Sequence, residues 1–270
     1  MATSTQEILV NQPANLSGKV ALVSGSSSGI GAAIAKELSD RGASIVINYP
    51  FPAEEASARA VLNSLATSSQ SIIAEADLST PDGPKRLAAI ARERFGRVDI
   101  LVNNAGRNSI CDMSEASDAE ILQVWDNTVN LNGRGTMLLT RAVLPILAPA
   151  GSRIINIGSS TSRDPDAHMT IYAGTKGMIE AFTRCWARDL PRKYGCTVNA
   201  VSPGPVGTEG LLAAEGDFLR VLQGRKERTP IAARYARPEE VAWAVAALCD
   251  NRASWINGVI VPVNGGGSLW

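Results

Sequence analysis

The feature that most constrains the fold is a glycine-rich turn that joins a short apolar strand to a helix. The strand reads K-V-A-L-V-S-G at 19–25, and the turn reads G-S-S-S-G-I-G at 25–31. The helix that follows stops at Gly42, and a second apolar strand occupies 44–48. This order predicts a βαβ unit. Because such a turn lets the backbone approach a phosphate, and a helix N-terminus offers N–H groups to an anion, the unit predicts a dinucleotide site.

Strands and helices alternate along the rest of the chain. Further apolar strands are predicted at 71–76, 99–102, 153–158, 197–201 and 259–263, with helices between them. Alternation of this kind indicates a parallel sheet covered by helices on both faces. We therefore predict one doubly wound α/β domain of about seven strands over 16–270, preceded by a flexible tail at 1–15. The segment 207–235 has weak periodicity and is predicted to be an irregular loop that binds substrate.

Composition narrows the classes of function. The chain has 270 residues and a formal net charge of +0, which favours neither nucleic acid nor an anionic membrane as a partner. No apolar run approaches the ~18 residues of a transmembrane helix, and the polar start lacks a signal-peptide pattern. The 4 cysteines are scattered and there is 1 histidine, so we expect no metal site and a reducing, cytoplasmic location.

A tyrosine and a lysine on one predicted helix carry the chemistry. Tyr172 and Lys176 stand four positions apart, so the phenol and the ammonium share a helix face. A free tyrosine has a pKa near ~10, and a fixed cation lowers it toward the operating pH, where acid–base catalysis works best. Serines at 159, 160 and 162 end the preceding strand and are placed to hydrogen-bond a carbonyl or alcohol oxygen. Taken alone, the Tyr–Lys spacing is more typical of a solvated helix face.

The end of the second predicted strand bears on the choice of coenzyme. An NAD site usually has an acidic residue roughly 20 positions beyond the glycines, where it binds the ribose hydroxyls. Here Asn48 and Tyr49 occupy that position. No carboxylate stands there to repel a 2′-phosphate, which favours NADP(H). No arginine or lysine stands there either, so NAD(H) stays open.

Three further positions follow strands or interrupt a helix. Asp77 follows the third strand, where an open α/β sheet binds ligands, and it suits either the adenine amine or the N-cap of the next helix. The small residues of N-N-A-G at 103–106 would let a ribose lie against the backbone. Asn130 lies inside a largely helical stretch at 117–149, where asparagine is mildly unfavourable, and this suggests a functional role.

Together these landmarks resemble the classical short-chain dehydrogenase/reductase family, whose fold is the Rossmann fold. The resemblance runs from Leu16 onward. The motifs that carry it are S-G-S-S-S-G-I-G at 24–31, D-L at 77–78, N-N-A-G at 103–106, N-L-N-G at 130–133, I-G-S at 157–159, Y-A-G-T-K at 172–176 and P-G-P-V at 203–206. The strand that ends in N-Y looks most like NADPH-dependent β-ketoacyl reductases and fungal polyhydroxynaphthalene reductases. The serines that often follow in that subgroup are missing, so the coenzyme preference stays open.

The resemblance implies a role for each catalytic candidate. Ser159 stands thirteen residues before Tyr172, the usual separation in the family, and would orient the substrate oxygen and stabilise charge on it. Tyr172 would donate the proton in reduction and abstract it in oxidation. Lys176 would lower the tyrosine pKa and hold the nicotinamide ribose. Asn130 would hold a water that links Lys176 to solvent.

The implied coenzyme contacts lie in the glycine-rich turn, at strand ends, on the catalytic helix and in the P-G-P-V segment. They are Gly25, Ser27, Ser28, Gly29, Ile30, Gly31, Asn48, Tyr49, Asp77, Leu78, Asn104, Ala105, Gly106, Tyr172, Lys176, Pro203, Gly204, Val206 and Thr208. Of these, Val206 and Thr208 would contact the carboxamide and the phosphates. The coenzyme would supply the hydride, and the protein its position and electrostatics.

The function expected from the resemblance is hydride transfer between NADP(H) and a ketone or secondary alcohol, on a cyclic or polyketide-like substrate. Two alternatives stay open: an NAD-linked alcohol or polyol dehydrogenase of the same family, and a non-catalytic dinucleotide-binding protein, since a fold does not fix function. The family also implies a homotetramer or homodimer. Trp255 and Trp270 are expected in the core or in subunit contacts, and His168 either lines the substrate pocket or lies in an exposed loop.

Overall fold

The strands of the computed structural model, which describes residues 15–213 and 216–270, form one parallel sheet. They are β1 (Val20–Val23), β2 (Ser44–Tyr49), β3 (Ile72–Glu75), β4 (Ile100–Asn103), β5 (Ser152–Ile157), β6 (Cys196–Pro203) and β7 (Ile260–Val263). Their order in the sheet is β3-β2-β1-β4-β5-β6-β7. The order reverses at β1, which is where a doubly wound sheet opens a crevice for a ligand. The predicted α/β fold is confirmed.

Helices connect the strands and cover both faces of the sheet. They are α1 (Gly29–Asp40), α2 (Glu55–Ser64), α3 (Gly83–Phe95), α4 (Asp118–Val129), α5 (Thr136–Val143), α6 (Thr170–Asp189), α7 (Pro191–Tyr194), α8 (Glu209–Leu212), α9 (Gly216–Glu227) and α10 (Pro238–Cys249). A short 3-10 turn, Pro52–Glu54, precedes α2, and a π-helical turn, Asn130–Gly135, joins α4 to α5. The predicted helical stretch at 117–149 is therefore two helices with a widened turn between them.

Two apolar cores lie on opposite sides of the sheet. Successive side chains of a strand point to opposite faces, so Ala21 and Val23 pack in the core under α1 and α10. Val20 and Leu22 pack in the other core, under α3, α5 and α6. The inner strands β1 and β5 are buried along their whole length, which is why β1 reads as a continuous apolar run rather than an alternating one.

Three expectations change or fall away in the structure. The segment 207–235 contains two helices, α8 and α9, so the prediction of an irregular loop is wrong. The side chain of Trp255 is 97% exposed, so its placement in the core is wrong and subunit contact remains a prediction. Trp270 is 41% exposed and its ring lies 5.4 Å from the Arg163 guanidinium. The tail predicted at 1–15 falls, except for Asn15, outside the described residues.

Among residues 15–213 and 216–270, every helix is too short or too polar to cross a lipid bilayer. In the same residues, no group of three or more His, Cys, Asp or Glu side chains is arranged to hold a metal ion.

Candidate active site

A cleft of about 690 Å³ opens along the carboxyl ends of the strands, at the point where the strand order reverses. Every residue predicted to bind the coenzyme or to act in catalysis lines this cleft except Tyr49. Tyr49 is 5% exposed and packs in the core beneath α1 and α10, where burial raises the pKa of its phenol. Its predicted contact with the coenzyme therefore has no support in the structure.

The glycine-rich turn has no space for side chains at its two ends. Gly25 and Gly29 have φ angles of 59° and 57°, a left-handed conformation that favours glycine. A Cβ added to Gly31 would lie 2.3 Å from the Gly25 carbonyl oxygen. The side chain of Ser28 does not cap α1, and the first turn of α1 has no acidic residue. The first N–H groups of this helix lack intrahelical partners, so the turn fits the phosphates of a dinucleotide.

Asn48 supports the glycine-rich turn from below. Its side-chain Oδ1 accepts a hydrogen bond from the Gly25 N–H at 3.0 Å. Its Nδ2 donates to the carbonyl oxygens of Tyr49, Ala74 and Ala76 at 3.0–3.2 Å. Asn48 is 2% exposed. The Asn48 amide therefore links β2, the end of β3 and the glycine-rich turn, and so fixes the position of the turn.

Ser24 and Asn104 connect the turn to the end of β4. The Ser24 hydroxyl accepts hydrogen bonds from the N–H groups of Asn104 and Ala105 at 2.9 and 3.0 Å. The Asn104 side chain donates to the carbonyl oxygens of Ser24 and Gly25, both at 2.9 Å. The N-N-A-G motif therefore braces the glycine-rich turn, and its small residues keep the cleft wall flat.

Asp77 lies in the cleft but does not cap a helix. Its Oδ1 accepts hydrogen bonds from the Ser79 N–H at 2.9 Å and from the Ser79 hydroxyl at 2.7 Å. Helix α3 begins later, and its N-cap residue is Asp82. The N-cap alternative for Asp77 is wrong, and the predicted contact with adenine remains a prediction.

Ser159, Tyr172 and Lys176 converge at the middle of the cleft. Ser159 follows β5, and the other two residues lie on the first turns of α6. The Lys176 Nζ donates to the Ile157 carbonyl oxygen at 2.9 Å and lies 5.7 Å from the centre of the Tyr172 ring. The Ser159 hydroxyl lowers the pKa of Tyr172, because it favours the phenolate. The predicted i, i+4 arrangement is present, and both side chains line the same cleft.

Burial changes the pKa of both titrating groups on α6. It lowers the pKa of Lys176 to about 8. It raises the pKa of Tyr172 above its ordinary value, and this outweighs the opposing effects of the Ser159 hydrogen bond and the Arg225 charge. The expected lowering of the tyrosine pKa is therefore wrong for this structure. The phenol stays protonated at neutral pH.

The π-helical turn accounts for the asparagines between α4 and α5. Asn130 begins the turn and lines the cleft, and Asn132 is buried within it. The Asn132 amide bonds the backbone of Arg107 in both directions at 2.8 and 2.9 Å, and it reaches the Thr175 hydroxyl at 3.1 Å. A π turn inside a helix often marks a functional site. Asn132 links the cleft wall to the residue before Lys176, a role that the sequence analysis missed.

A buried polar ladder fixes the catalytic helix against the sheet. The Asn103 Nδ2 donates to the Asn156 Oδ1 at 2.8 Å and to the Thr140 hydroxyl at 2.9 Å. The Asn156 Nδ2 in turn donates to the Thr183 hydroxyl at 2.9 Å. The ladder joins β4, β5, α5 and α6. It therefore holds α6, which carries Tyr172, in a fixed position against β5, which Ser159 follows.

Comparison with known proteins agrees with this geometry. A family model described as enoyl-(acyl carrier protein) reductase matches residues 25–268. A short-chain dehydrogenase/reductase, FrzI, of Cladobotryum sp is 36% identical over 261 residues, covering 95% of this chain and 98% of FrzI. The chain belongs to the short-chain dehydrogenase/reductase family.

Other members of the family share the fold and most of the chain length. The versicolorin reductase stcU of Emericella nidulans is 34% identical over 260 residues, covering 93% of this chain and 96% of that protein. A short-chain dehydrogenase of Burkholderia cenocepacia in complex with NADP superposes with a TM-score of 0.84 at 34% identity, covering 94% and 99% of the two chains. A metagenomic blue fluorescent protein in complex with NADPH gives a TM-score of 0.85 at 32% identity, covering 94% and 100%.

The short-chain dehydrogenase/reductase cleft contains charged side chains that the sequence analysis did not select. Glu54 lies near the glycine-rich turn, and Arg107, Asp126, Asp166 and Arg225 lie around the catalytic residues. Each comes from a segment without a recognisable motif, so spacing carried no signal for them. His168 does not line the cleft; it is exposed, has a φ of 62°, and lies 3.4 Å from the Asp112 carboxylate.

Replacing Lys176 with methionine is expected to raise the free energy of unfolding at neutral pH. The folded-state pKa of about 8 lies below the ordinary 10.5, so the cost of burying the ammonium is fully present below pH 8. One pKa unit corresponds to ~1.4 kcal/mol, and the lost hydrogen bond to Ile157 offsets part of the gain. We expect a gain on the order of 1–2 kcal/mol, which shrinks as the pH rises from about 8 toward 10.5.

Urea unfolding of Lys176→Met and the natural protein at pH about 7 and about 9.5 measures this difference. The exposed Lys85, changed to methionine, is the control, and its effect should not depend on pH. A stability gap that stays constant or widens between the two pH values contradicts the burial argument.

Proposed function

We propose that this short-chain dehydrogenase/reductase transfers a hydride between a nicotinamide dinucleotide and a ketone or secondary alcohol, with Tyr172 as the general acid and base. One observation carries the proposal. The Tyr172 phenol, the Ser159 hydroxyl and the Lys176 ammonium line the same cleft as a glycine-rich turn that fits a dinucleotide phosphate. A binding protein without catalysis has no need of a half-buried phenol beside a buried ammonium.

The chain's own residues hold the coenzyme at both ends of the cleft. The turn around Gly25 and Gly29 and the start of α1 offer N–H groups to the phosphates. Val206 and Thr208 lie at the other wall, and a Cβ on Gly29 would lie 3.4 Å from the Thr208 side chain. Lys176 is placed for the ribose next to the nicotinamide. When bound, the coenzyme supplies the hydride.

The proton transfer follows from the environment of Tyr172. Because its pKa is raised by burial, the phenol carries its proton at neutral pH and is ready to act as the acid in ketone reduction. The Ser159 hydroxyl lies beside it and orients the carbonyl oxygen that receives the proton. Lys176 is charged at neutral pH, given its pKa of about 8. A cation near the phenol favours the phenolate, so this ammonium makes the loss of the Tyr172 proton easier than a neutral group would.

The walls beyond Tyr172 suit a ring-shaped, partly apolar substrate. Met169, Leu211 and Leu222 line one part of the cleft, and Ser160 and Asp166 offer polar atoms nearby. A versicolorin reductase is among the relatives that share most of the chain. We therefore propose a cyclic or polyketide-like ketone. A panel of such ketones and related polyols, followed by the absorbance of the reduced coenzyme, tests the reaction class; no turnover of any member contradicts it.

NADP(H) is the proposed coenzyme. Two solved relatives above 30% identity are in complex with NADP and NADPH. The end of β2 carries no acidic residue, so the usual carboxylate that rejects a 2′-phosphate is missing from that position.

One observation favours NAD(H) as the second candidate. Glu54 lies in the cleft with its carboxylate 2.7 Å from the Ser27 hydroxyl, between the glycine-rich turn and Phe51. Pro50 and Pro52 lack N–H groups that a phosphate needs. Among the residues described along that end of the cleft, the charged ones are Glu54 and Asp77, and both are acidic. A dianionic 2′-phosphate placed here meets a negative field.

Changing Glu54 to glutamine separates the two candidates. Removing one negative charge is expected to improve NADPH binding relative to NADH by about fivefold, or roughly 1 kcal/mol. Titration of each reduced coenzyme by fluorescence measures the ratio of the two dissociation constants. Glu55→Gln is the matched control, because Glu55 pairs with Arg59 on the surface of α2. If the ratio of the NADPH and NADH dissociation constants is the same in Glu54→Gln as in Glu55→Gln, Glu54 does not face the 2′ position of the coenzyme. Tighter NADH binding by the natural protein establishes the second candidate.

A further inference from the structure

Helix α9 brings one arginine into the candidate active site. The helix lies in the 207–235 segment, and its residues Leu222 and Arg225 line the cleft opposite Tyr172. Arg225 is 9% exposed, which is unusual for a guanidinium on a surface helix. A buried arginine is stable only where partners satisfy it, so the contacts of Arg225 explain why α9 lies where it does.

Among the described residues, the hydrogen bonds and ion pair that the Arg225 side chain makes all go to one loop, which we call the catalytic loop and define as residues 160–166. The Arg225 Nη1 donates to the Ser160 hydroxyl at 3.3 Å, and its Nη2 donates to the Asp164 carbonyl oxygen. Its Nε forms an ion pair with the Asp166 carboxylate, whose side chain is 17% exposed. Arginine is suited to such a role because its planar head offers several donors in fixed directions.

The catalytic loop is itself held rigidly from the far side. The Ser162 hydroxyl and the Arg163 guanidinium both bond the Glu180 carboxylate on α6, at 2.6 and 2.8 Å. The Ser268 hydroxyl near the C-terminus donates to the Asp164 carboxylate at 2.5 Å. The loop is therefore a fixed platform next to Ser159, and Arg225 is the group that attaches α9 to it.

The charge of Arg225 also reaches the reacting phenol. It lowers the pKa of Tyr172, against the larger effect of burial. The other charged groups near this point are Asp166 on the catalytic loop, Lys176 on α6, Asp126 on α4 and Arg107 after β4, all of which line the cleft. The Lys176 Nζ lies 5.7 Å from the centre of the Tyr172 ring and donates a hydrogen bond to the Ile157 carbonyl oxygen.

We propose that Arg225 is a positioning residue: through Asp166, Asp164 and Ser160, its guanidinium fastens α9 over the cleft and places a positive charge beside Ser159 and Tyr172. The attachment of α9 and the positive charge near the Tyr172 phenol thus both depend on the Arg225 side chain. When α9 detaches, the cleft opens and the charge leaves with it. This inference rests on the proposed function only for its kinetic part.

Hydrogen–deuterium exchange of the full chain tests the attachment without any substrate. Arg225→Met is expected to speed amide exchange in the peptides covering 209–229 by about tenfold, since local opening then needs no broken ion pair. Asp166→Asn, which keeps the arginine, should give the same result. Arg228→Met is the matched control, because Arg228 lies in the turn directly after α9 and its side chain bonds only the Gly224 carbonyl oxygen among the described residues. Equal exchange in Arg225→Met and Arg228→Met overturns the proposal.

The effect of the Arg225 charge on Tyr172 is tested by kinetics in the oxidation direction, on the alcohol that the natural protein forms from a ketone of the panel. In Arg225→Met, the pKa that governs the rate of alcohol oxidation should move to higher pH, because the phenolate loses a nearby cation. Arg225→Lys should restore that pKa in part but not the slow exchange of 209–229, since an ammonium cannot make the same set of directed bonds. A lower kcat in Arg225→Met with an unmoved pH profile refutes the electrostatic part. A panel without any turnover refutes the proposed function and leaves the exchange result to decide on the attachment.

Discussion

Tyr172→Phe is expected to lower kcat for ketone reduction by about 100- to 10,000-fold, the range that a positioned general acid contributes. Phenylalanine keeps the ring, so the packing against α6 and the cleft wall is preserved. What is lost is the phenolic proton beside Ser159, carried on a ring whose centre lies 5.7 Å from the Lys176 Nζ. Coenzyme affinity should change little, because Tyr172 is only one of many cleft residues that are predicted to contact the coenzyme, and its ring is kept.

The measurement is steady-state kinetics on a ketone from the panel, together with a separate titration of the reduced coenzyme. Tyr194→Phe is the matched control, since it removes a tyrosine hydroxyl from a residue packed outside the cleft. Turnover within a few-fold of the natural enzyme in Tyr172→Phe removes this residue from the mechanism. A parallel loss of coenzyme binding would show that the hydroxyl also holds the coenzyme, because the ring is kept in this variant.

Gly31→Ala is expected to weaken coenzyme binding by at least tenfold and to destabilise the fold by about 1–3 kcal/mol, the usual cost of overpacking. The added methyl would lie 2.3 Å from the Gly25 carbonyl oxygen and 2.6 Å from the Asn104 side chain. The first of these atoms is backbone held by Asn104 and cannot move cheaply. Relief of the clash must therefore displace the glycine-rich turn, which is the part of the protein proposed to hold the phosphates.

Thermal unfolding and coenzyme titration of Gly31→Ala measure both effects. Gly177→Ala on α6 is the control, because a Cβ there meets nothing within 4 Å and alanine favours a helix. Gly177→Ala should bind coenzyme normally and be at least as stable as the natural protein. Normal coenzyme affinity in a folded Gly31→Ala protein would falsify the assignment of this turn to the phosphates.

Several site residues were predictable because their chemistry depends on local spacing. Tyr172 and Lys176 share a helix face at any position in a fold, so the pair could be predicted before the fold was known. The same holds for Gly25 and Gly29, since a turn with left-handed residues needs glycine wherever it occurs.

Other assignments depended on contacts distant in sequence, and there the prediction was wrong or silent. Asn48 was expected to face the coenzyme, yet its amide is spent on Gly25 and on two carbonyl oxygens of the β3 segment. Asp77 was open between two roles until Ser79 was seen to occupy its carboxylate. Arg225 gave no signal, because nothing in its own segment indicates that residues 160–166 lie against it.

The sequence by itself determined the parallel α/β sheet, the glycine-rich turn and the shared helix face of Tyr172 and Lys176, since periodicity and short motifs lie within single elements. Only the tertiary structure decided the pKa of Tyr172, the acidic setting of the coenzyme's adenosine end and the place of α9. The physical reason is that desolvation and ion pairing depend on which distant groups are brought together. The pKa of Tyr172 rises because the folded chain excludes water from its phenol. The spacing of residues along the sequence does not indicate how much water is excluded.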